Sequence, residues 1–193
     1  MTPRAALIWA ALALAIGVPI LVAAQSPLLQ WRGAIYIIAG FGGIFGLALL
    51  HVQPLLILGA LRGVPGRRLH AWIGALLVLA VLVHVIGLWI VSPPDVIDVL
   101  LFRSPTPFSV WGALAMWAVF IAASLAVMRK RIGLRIWRVG HSIAVTVVII
   151  GTVVHAWMIE GAMEDVTKGM LCAIVLGVGL WALSQRRAWR MLR

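Results

Sequence analysis

The sequence predicts an all-α integral membrane protein, a bundle of six transmembrane helices, and three observations carry that prediction. Apolar residues make up 64% of the 193 and charged residues 11%, against roughly 45–50% and about 25% in a soluble globular chain. So few charges could not cover such a core in water, and the chain belongs in a bilayer. The apolar residues gather into six runs, approximately 5–24, 33–61, 69–91, 108–128, 139–159 and 169–184. Each is close to the roughly 20 residues a helix needs to cross about 30 Å of hydrocarbon, and none shows the strict alternation of a barrel strand. Finally, 16 Lys and Arg stand against five Asp and Glu, and the two signs fall at opposite ends of the runs. The same balance excludes disorder and nucleic-acid binding.

Taken in order, the first run follows Arg4 and closes on Val22-Ala23-Ala24, which also resembles a signal peptide with a small-residue cleavage site. At about 20 residues it is longer than a usual signal core, so an uncleaved first helix is expected. The second run carries Pro54, which either kinks the helix or ends it and begins an interfacial segment. After Pro93 the residues Val96, Ile97, Val99, Leu100, Leu101 and Phe102 predict a short helix on the outer surface. Connections carry turn formers: Gln25-Ser26-Pro27, Gly63-Val64-Pro65-Gly66, Ser92-Pro93-Pro94 and Ser104-Pro105-Thr106-Pro107. With no linker, repeat or low-complexity tail, residues 1–193 read as one domain.

Charge placement orients the bundle. Arg4, Arg62, Arg67, Arg68, Arg129, Lys130, Arg131, Arg135, Arg138, Arg186, Arg187, Arg190 and Arg193 lie on one side. Arg32, Arg103 and Lys168 lie on the other, with every acid: Asp95, Asp98, Glu160, Glu164 and Asp165. The positive-inside rule puts both termini in the cytoplasm, in a multi-pass protein of a bacterial-type inner membrane. Trp9, Trp31, Trp72, Trp89, Trp111, Trp137, Trp157 and Trp181 fall near predicted helix ends, as an interfacial belt requires.

One cysteine, Cys172, allows no internal disulfide and no Cys-based cluster, which leaves five histidines as the obvious ligands. His70 and His84 share the third run; His141 and His155 share the fifth; both pairs are 14 residues apart. At about 100° per residue, 14 steps fall roughly 40° short of four turns, so each pair faces nearly one direction, about 21 Å apart along its helix. The third and fifth spans run parallel, so His70 comes level with His141 near the inner surface and His84 with His155 nearer the outer one. Two levels of paired imidazoles are what two bis-histidine haems b require, slotted between transmembrane helices three and five. Six-coordinate iron leaves no open position, which favours electron transfer over oxygen binding.

The stretch Leu69-His70-Ala71-Trp72-Ile73-Gly74, with His84 ten residues on, and Trp137-Arg138-Val139-Gly140-His141, with thirteen residues before His155, resembles the ferric reductase-like transmembrane domain. That domain is shared by ferric reductases, NADPH oxidases and the haem-bearing membrane subunit of the periplasmic methionine sulfoxide reductase system. The resemblance is sharpest over residues 67–155. It implies six helices, two b-type haems on the matching histidines, and electron flow from inside to outside. Full-length ferric reductases and oxidases append a flavin and nicotinamide module. This chain runs from its sixth span to Arg193 with no Gly-rich phosphate loop. Its expected donor is therefore separate: a flavoprotein, a quinol, or a weakly bound flavin (FMN or FAD). The expected acceptor is periplasmic.

Haem propionates need cationic partners. Arg67, Arg68, Arg135 and Arg138 sit just below the inner level, and Arg103, Arg32 and Lys168 are the outer candidates; topology and lipid phosphate account for such charges equally well. Gly74, Gly140 and Gly151 near the histidines, and Gly40, Gly42, Gly43 and Gly46 on the second helix, read as close-packing positions. His51 reads as a hydrogen-bonded core histidine, with an alternative ligand, a quinone contact or a proton carrier as other roles. Rival functions are a quinone-linked cytochrome b subunit of a larger dehydrogenase, a histidine-using metal or solute transporter, and a structural assembly factor. Transport is disfavoured because all five acids are expected outside the spans.

Overall fold

The structure is a computed structural model that describes residues 3–61 and 63–185. Arg62, Arg186, Arg187, Arg190 and Arg193, together with the side chain of Arg4, lie outside the described residues. The described chain is all-helical: α1 (Pro3–Ala24), a single 3-10 turn (Pro27–Leu29), α2 (Ala34–Leu58), α3 (Gly66–Val91), α4 (Pro93–Leu100), α5 (Pro107–Met128), α6 (Leu134–Met158) and α7 (Asp165–Gln185). Six of these, all but α4, are long and apolar enough to cross a membrane. The short α4 is the helix expected after Pro93. It opens on two prolines, where the missing N–H groups have no intrahelical partner to lose.

Pro54 does not end the second helix: α2 continues through it to Leu58. Its stop is Gly59, whose left-handed φ of 70° lets its N–H reach the carbonyls of Leu55 and Leu56. Not all the acids lie outside helices. Asp95 and Asp98 are in α4, and Asp165 opens α7.

The spans pack as a ring. The antiparallel pairs α2–α3 and α5–α6 are the tightest contacts, α7 bridges α2 to α6, and α5 touches α3 to close the circuit. The first helix lies outside, against α2 and α7. Small residues allow the tight pairs. A Cβ on Gly87 would stand 2.7 Å from that of Ala39, and one on Gly42 3.0 Å from the Ala80 carbonyl oxygen. On the other pair, a Cβ on Gly151 would meet the Trp111 carbonyl oxygen at 3.0 Å. By contrast α3 and α6 make almost no close backbone approach, although both face the shared interior. Ile44, Leu47, Leu77, Val119, Val148, Ile149, Leu171 and Val175 fill that interior. Many Leu, Ile and Val side chains point outward from the bundle, where they suit lipid.

Candidate functional site

Each of the four paired histidines is anchored the same way. His84 Nδ1 donates to the Ala39 carbonyl at 2.7 Å and His155 Nδ1 to the Phe108 carbonyl at 2.9 Å. His70 Nδ1 lies 3.3 Å from the Gln53 carbonyl and His141 Nδ1 donates to the Ala122 carbonyl at 3.2 Å. A carbonyl only accepts, so at His84, His141 and His155 these bonds assign the proton to Nδ1 and make Nε2 the lone-pair nitrogen, the tautomer a metal ligand needs; His70 Nδ1 is also approached by the Gln53 side-chain amide nitrogen, and its tautomer is not assigned this way. Every acceptor lies on the preceding helix of the same antiparallel pair: α2 serves both histidines of α3, and α5 both of α6.

The arrangement repeats. Acceptors Ala39 and Gln53 are 14 residues apart, as are Phe108 and Ala122, matching the 14-residue spacing of both histidine pairs. The pair α2–α3 is thus reproduced by α5–α6, an internal duplication of geometry where the sequence shows no repeat. Leu77 and Val148 occupy the midpoints between the two levels, and both are buried in the core. An apolar layer therefore separates the levels.

At the outer level the rings of His84 and His155 come together, centroids 6.4 Å apart and planes at 80°. Metal–imidazole bonds are about 2 Å long, and a ring nitrogen lies just over 1 Å from its centroid. Two imidazoles on opposite sides of one iron therefore have centroids roughly 6–6.5 Å apart. The observed separation fits. Glycines seat both rings: a Cβ on Gly112 would stand 2.6 Å from His155 Nδ1 and Cε1, and one on Gly43 3.1 Å from His84 Nδ1.

At the inner level the surroundings are more polar. Gln53 is buried, and with its amide nitrogen turned toward α3 that nitrogen donates to the His70 carbonyl at 3.2 Å and to His70 Nδ1, while its oxygen accepts from the Gly74 N–H at 2.7 Å. His141 is buried and stacked on Trp137, with ring centroids 5.7 Å apart. Trp137, on the first turn of α6, is thus half-buried against a histidine instead of pointing outward. Trp31, Trp72 and Trp157 do point outward.

The expected cations occupy different settings. Arg67 and Arg68 are exposed on the first turn of α3, within one turn of His70. Arg135 is exposed at the start of α6, and Arg138 is half-buried three residues before His141. Arg103 is exposed in the turn between α4 and α5, close in sequence to Phe108. The other two outer candidates are engaged elsewhere. Arg32 lies over Tyr36, 4.7 Å from the ring centroid. Lys168, although buried, pairs with Asp165 at 2.8 Å and donates to the Ile159 carbonyl at 3.1 Å.

Two further sequence readings change. His51 is 1% exposed, and among the described residues neither ring nitrogen meets a hydrogen-bond partner. It is a core histidine, not a hydrogen-bonded one. A Cβ added at Gly40 would meet no atom within 4 Å, so this glycine does not serve close packing. Gly112, which does, is not distinguishable among the 19 glycines by sequence.

Among the described residues no three His, Cys, Asp or Glu side chains form a metal cage. Paired imidazoles suit a metal that brings its other four ligands with it, as a porphyrin does. Residues 43–152 match the family model described as ferric reductase like transmembrane component. No curated protein and no solved structure matches the chain. The matched segment spans α2 to α6 from Gly43 onward and includes His70, His84 and His141; it ends three residues before His155.

Proposed function

We propose that this chain, which belongs to the ferric reductase-like transmembrane family, carries electrons one at a time across a bilayer between two haems b. The observation that carries the reading is the set of four carbonyl-anchored imidazoles at two depths, the outer two 6.4 Å apart. His84 and His155 would hold one haem and His70 and His141 the other; bound there, each supplies a one-electron iron couple.

The chain's own residues do the rest. The carbonyls of Ala39, Gln53, Phe108 and Ala122 fix the direction of each imidazole, those of Ala39, Phe108 and Ala122 also fix its tautomer, and such outer partners raise ligand basicity. Two imidazoles per site leave no coordination position for substrate, so the centres relay electrons instead of binding oxygen. Leu77 and Val148 keep water out of the layer between the levels. Arg67, Arg68 and Arg138 are the propionate partners at the inner level, and Arg103 at the outer. Both termini are cytoplasmic, in a bacterial-type inner membrane. The donor is a separate flavoprotein or quinol, bringing FMN, FAD or quinone chemistry, and the acceptor is periplasmic.

Proteoliposomes test this. With ferricyanide trapped inside and dithionite outside, the haem-loaded wild type should pass electrons inward and His84→Ala should lose the outer haem and the flux. Full haem content and undiminished flux in His84→Ala would overturn the assignment.

A further inference from the structure

Trp137 has a placement the electron-relay reading does not use. It lies four residues, about one turn, before His141 on α6, and its ring stacks on the His141 imidazole at 21° between planes. The guanidinium of Arg129 lies 4.6 Å from the centroid of the same indole. Arg129, Trp137 and His141 thus form a column running from the exposed α5–α6 turn to an inner ligand. The equivalent position on α3, four residues before His70, is Gly66, so the column stands on one side of the inner level only.

The indole Nε1 is buried and has no acceptor among the described residues. Interfacial tryptophans ordinarily turn this N–H toward headgroups or water, because a buried donor without an acceptor is costly. Trp137 does neither, so the acceptor it is built for belongs to something else. A donor beside an axial imidazole, with a cation next to it, suits an anion carried by the group that imidazole ligates.

We propose that the Trp137 N–H donates to a carboxylate of the ligand at the inner level, a haem propionate, with Arg129 as the adjacent cation. This rests on the di-haem reading. Trp137 acts as a binding residue for the cofactor's carboxylate, and its stack on His141 fixes the plane of that ligand at the same time. Phenylalanine at 137 keeps the stack and deletes only the donor.

The test uses the purified full chain in the His84→Ala background, which isolates the inner site, loaded with native haem or with haem whose propionates are methyl esters. Adding Trp137→Phe should speed transfer of native haem to an excess of apomyoglobin by roughly tenfold. It should also shift the propionate bending band in resonance Raman spectra. With the diester, the Trp and Phe forms should release at equal rates. Native-haem release unchanged by Trp137→Phe, or an equal acceleration with the diester, would overturn the proposal and leave a packing role. Should Trp137→Phe not fold, the Trp form is compared in a chain carrying Arg67→Gln, Arg68→Gln and Arg138→Gln: the diester must still leave the inner site about tenfold faster than native haem, and equal rates refute the contact. Failure of the di-haem reading looks different, as a wild-type chain that takes up no haem at all.

Discussion

The outer and inner levels use one backbone device in two settings. At the outer level His84 and His155 sit against glycine with short bonds, 2.7 and 2.9 Å, to main-chain oxygen. At the inner level the bonds are longer, 3.3 and 3.2 Å, and the ligands are flanked by the Gln53 amide, Trp137 and Arg129. Carbonyl anchors set which nitrogen is offered to a metal; the side chains around them set how each level is held and tuned. The comparison also says where substitutions should be selective. Steric changes should damage the outer level first, and polar changes the inner.

The sharpest break is Gly112→Ala. A helical Gly→Ala change gains up to about 1 kcal/mol of propensity, whereas overpacking costs about 1–3 kcal/mol, and here the obstructed atoms belong to a ligand ring fixed by its carbonyl. Sterics should win. The outer haem should bind roughly 10–100-fold more weakly, with the inner haem retained, as read by pyridine haemochrome content. Gly43→Ala, with its closest ring contact at 3.1 Å instead of 2.6 Å, should do the same more mildly. Gly40→Ala on the same helix meets nothing and should leave both levels intact; loss of outer haem there would show that α2 tolerates no change, and the glycine-seat argument would fall.

Next in size is Gln53→Leu. It keeps the main-chain acceptor of His70 but removes the amide that bridges the His70 carbonyl and the Gly74 N–H. Inner haem affinity should drop severalfold, of the order of one hydrogen bond of about 1 kcal/mol, while the outer level is untouched. A redox titration that shows only the outer couple shifted would reverse the proposed division of labour.

The smallest effect lies at the start of α7. Glu164 accepts from the Val166 and Thr167 N–H groups at 2.8 and 2.6 Å. The Thr167 N–H, then that of Val166, holds its carboxyl below the usual range. A depressed folded value means the cap is fully present above the unfolded pKa and is lost as pH falls through the folded one. Acidification through the range where this carboxyl titrates should therefore lower the amide-exchange protection factors of Val166 and Thr167, taken relative to the intrinsic rate at each pH, in the wild type. Glu164→Gln should flatten that dependence and leave both haem levels alone.

Much of the bundle is legible in the sequence because length and polarity are one-dimensional. Six apolar runs and the turn formers between them locate six spans to within a few residues. The two 14-residue histidine separations reveal paired levels, since helical angle is arithmetic. What the sequence hides are the partners. Any residue carries a main-chain oxygen, so Ala39, Gln53, Phe108 and Ala122 share no side-chain feature, and a duplication written in carbonyls leaves no repeat to find. Gly112 is one glycine among many until a ring is seen over it. Trp137 passes for a belt residue because its sequence position is right for one; only its buried N–H and its stack on His141 distinguish it. Lys168 reads as a cation available at the outer surface, but its neighbour Asp165, three residues back, already holds it.

Haem quantified per purified chain, from dithionite-reduced minus oxidised spectra, tests the central claim most directly. Two b-type haems in the wild type, falling to one in His84→Ala and in His70→Ala and to none in the double variant, is the result that four anchored imidazoles demand. A colourless wild-type protein, or one whose haem content ignores both substitutions, would contradict it.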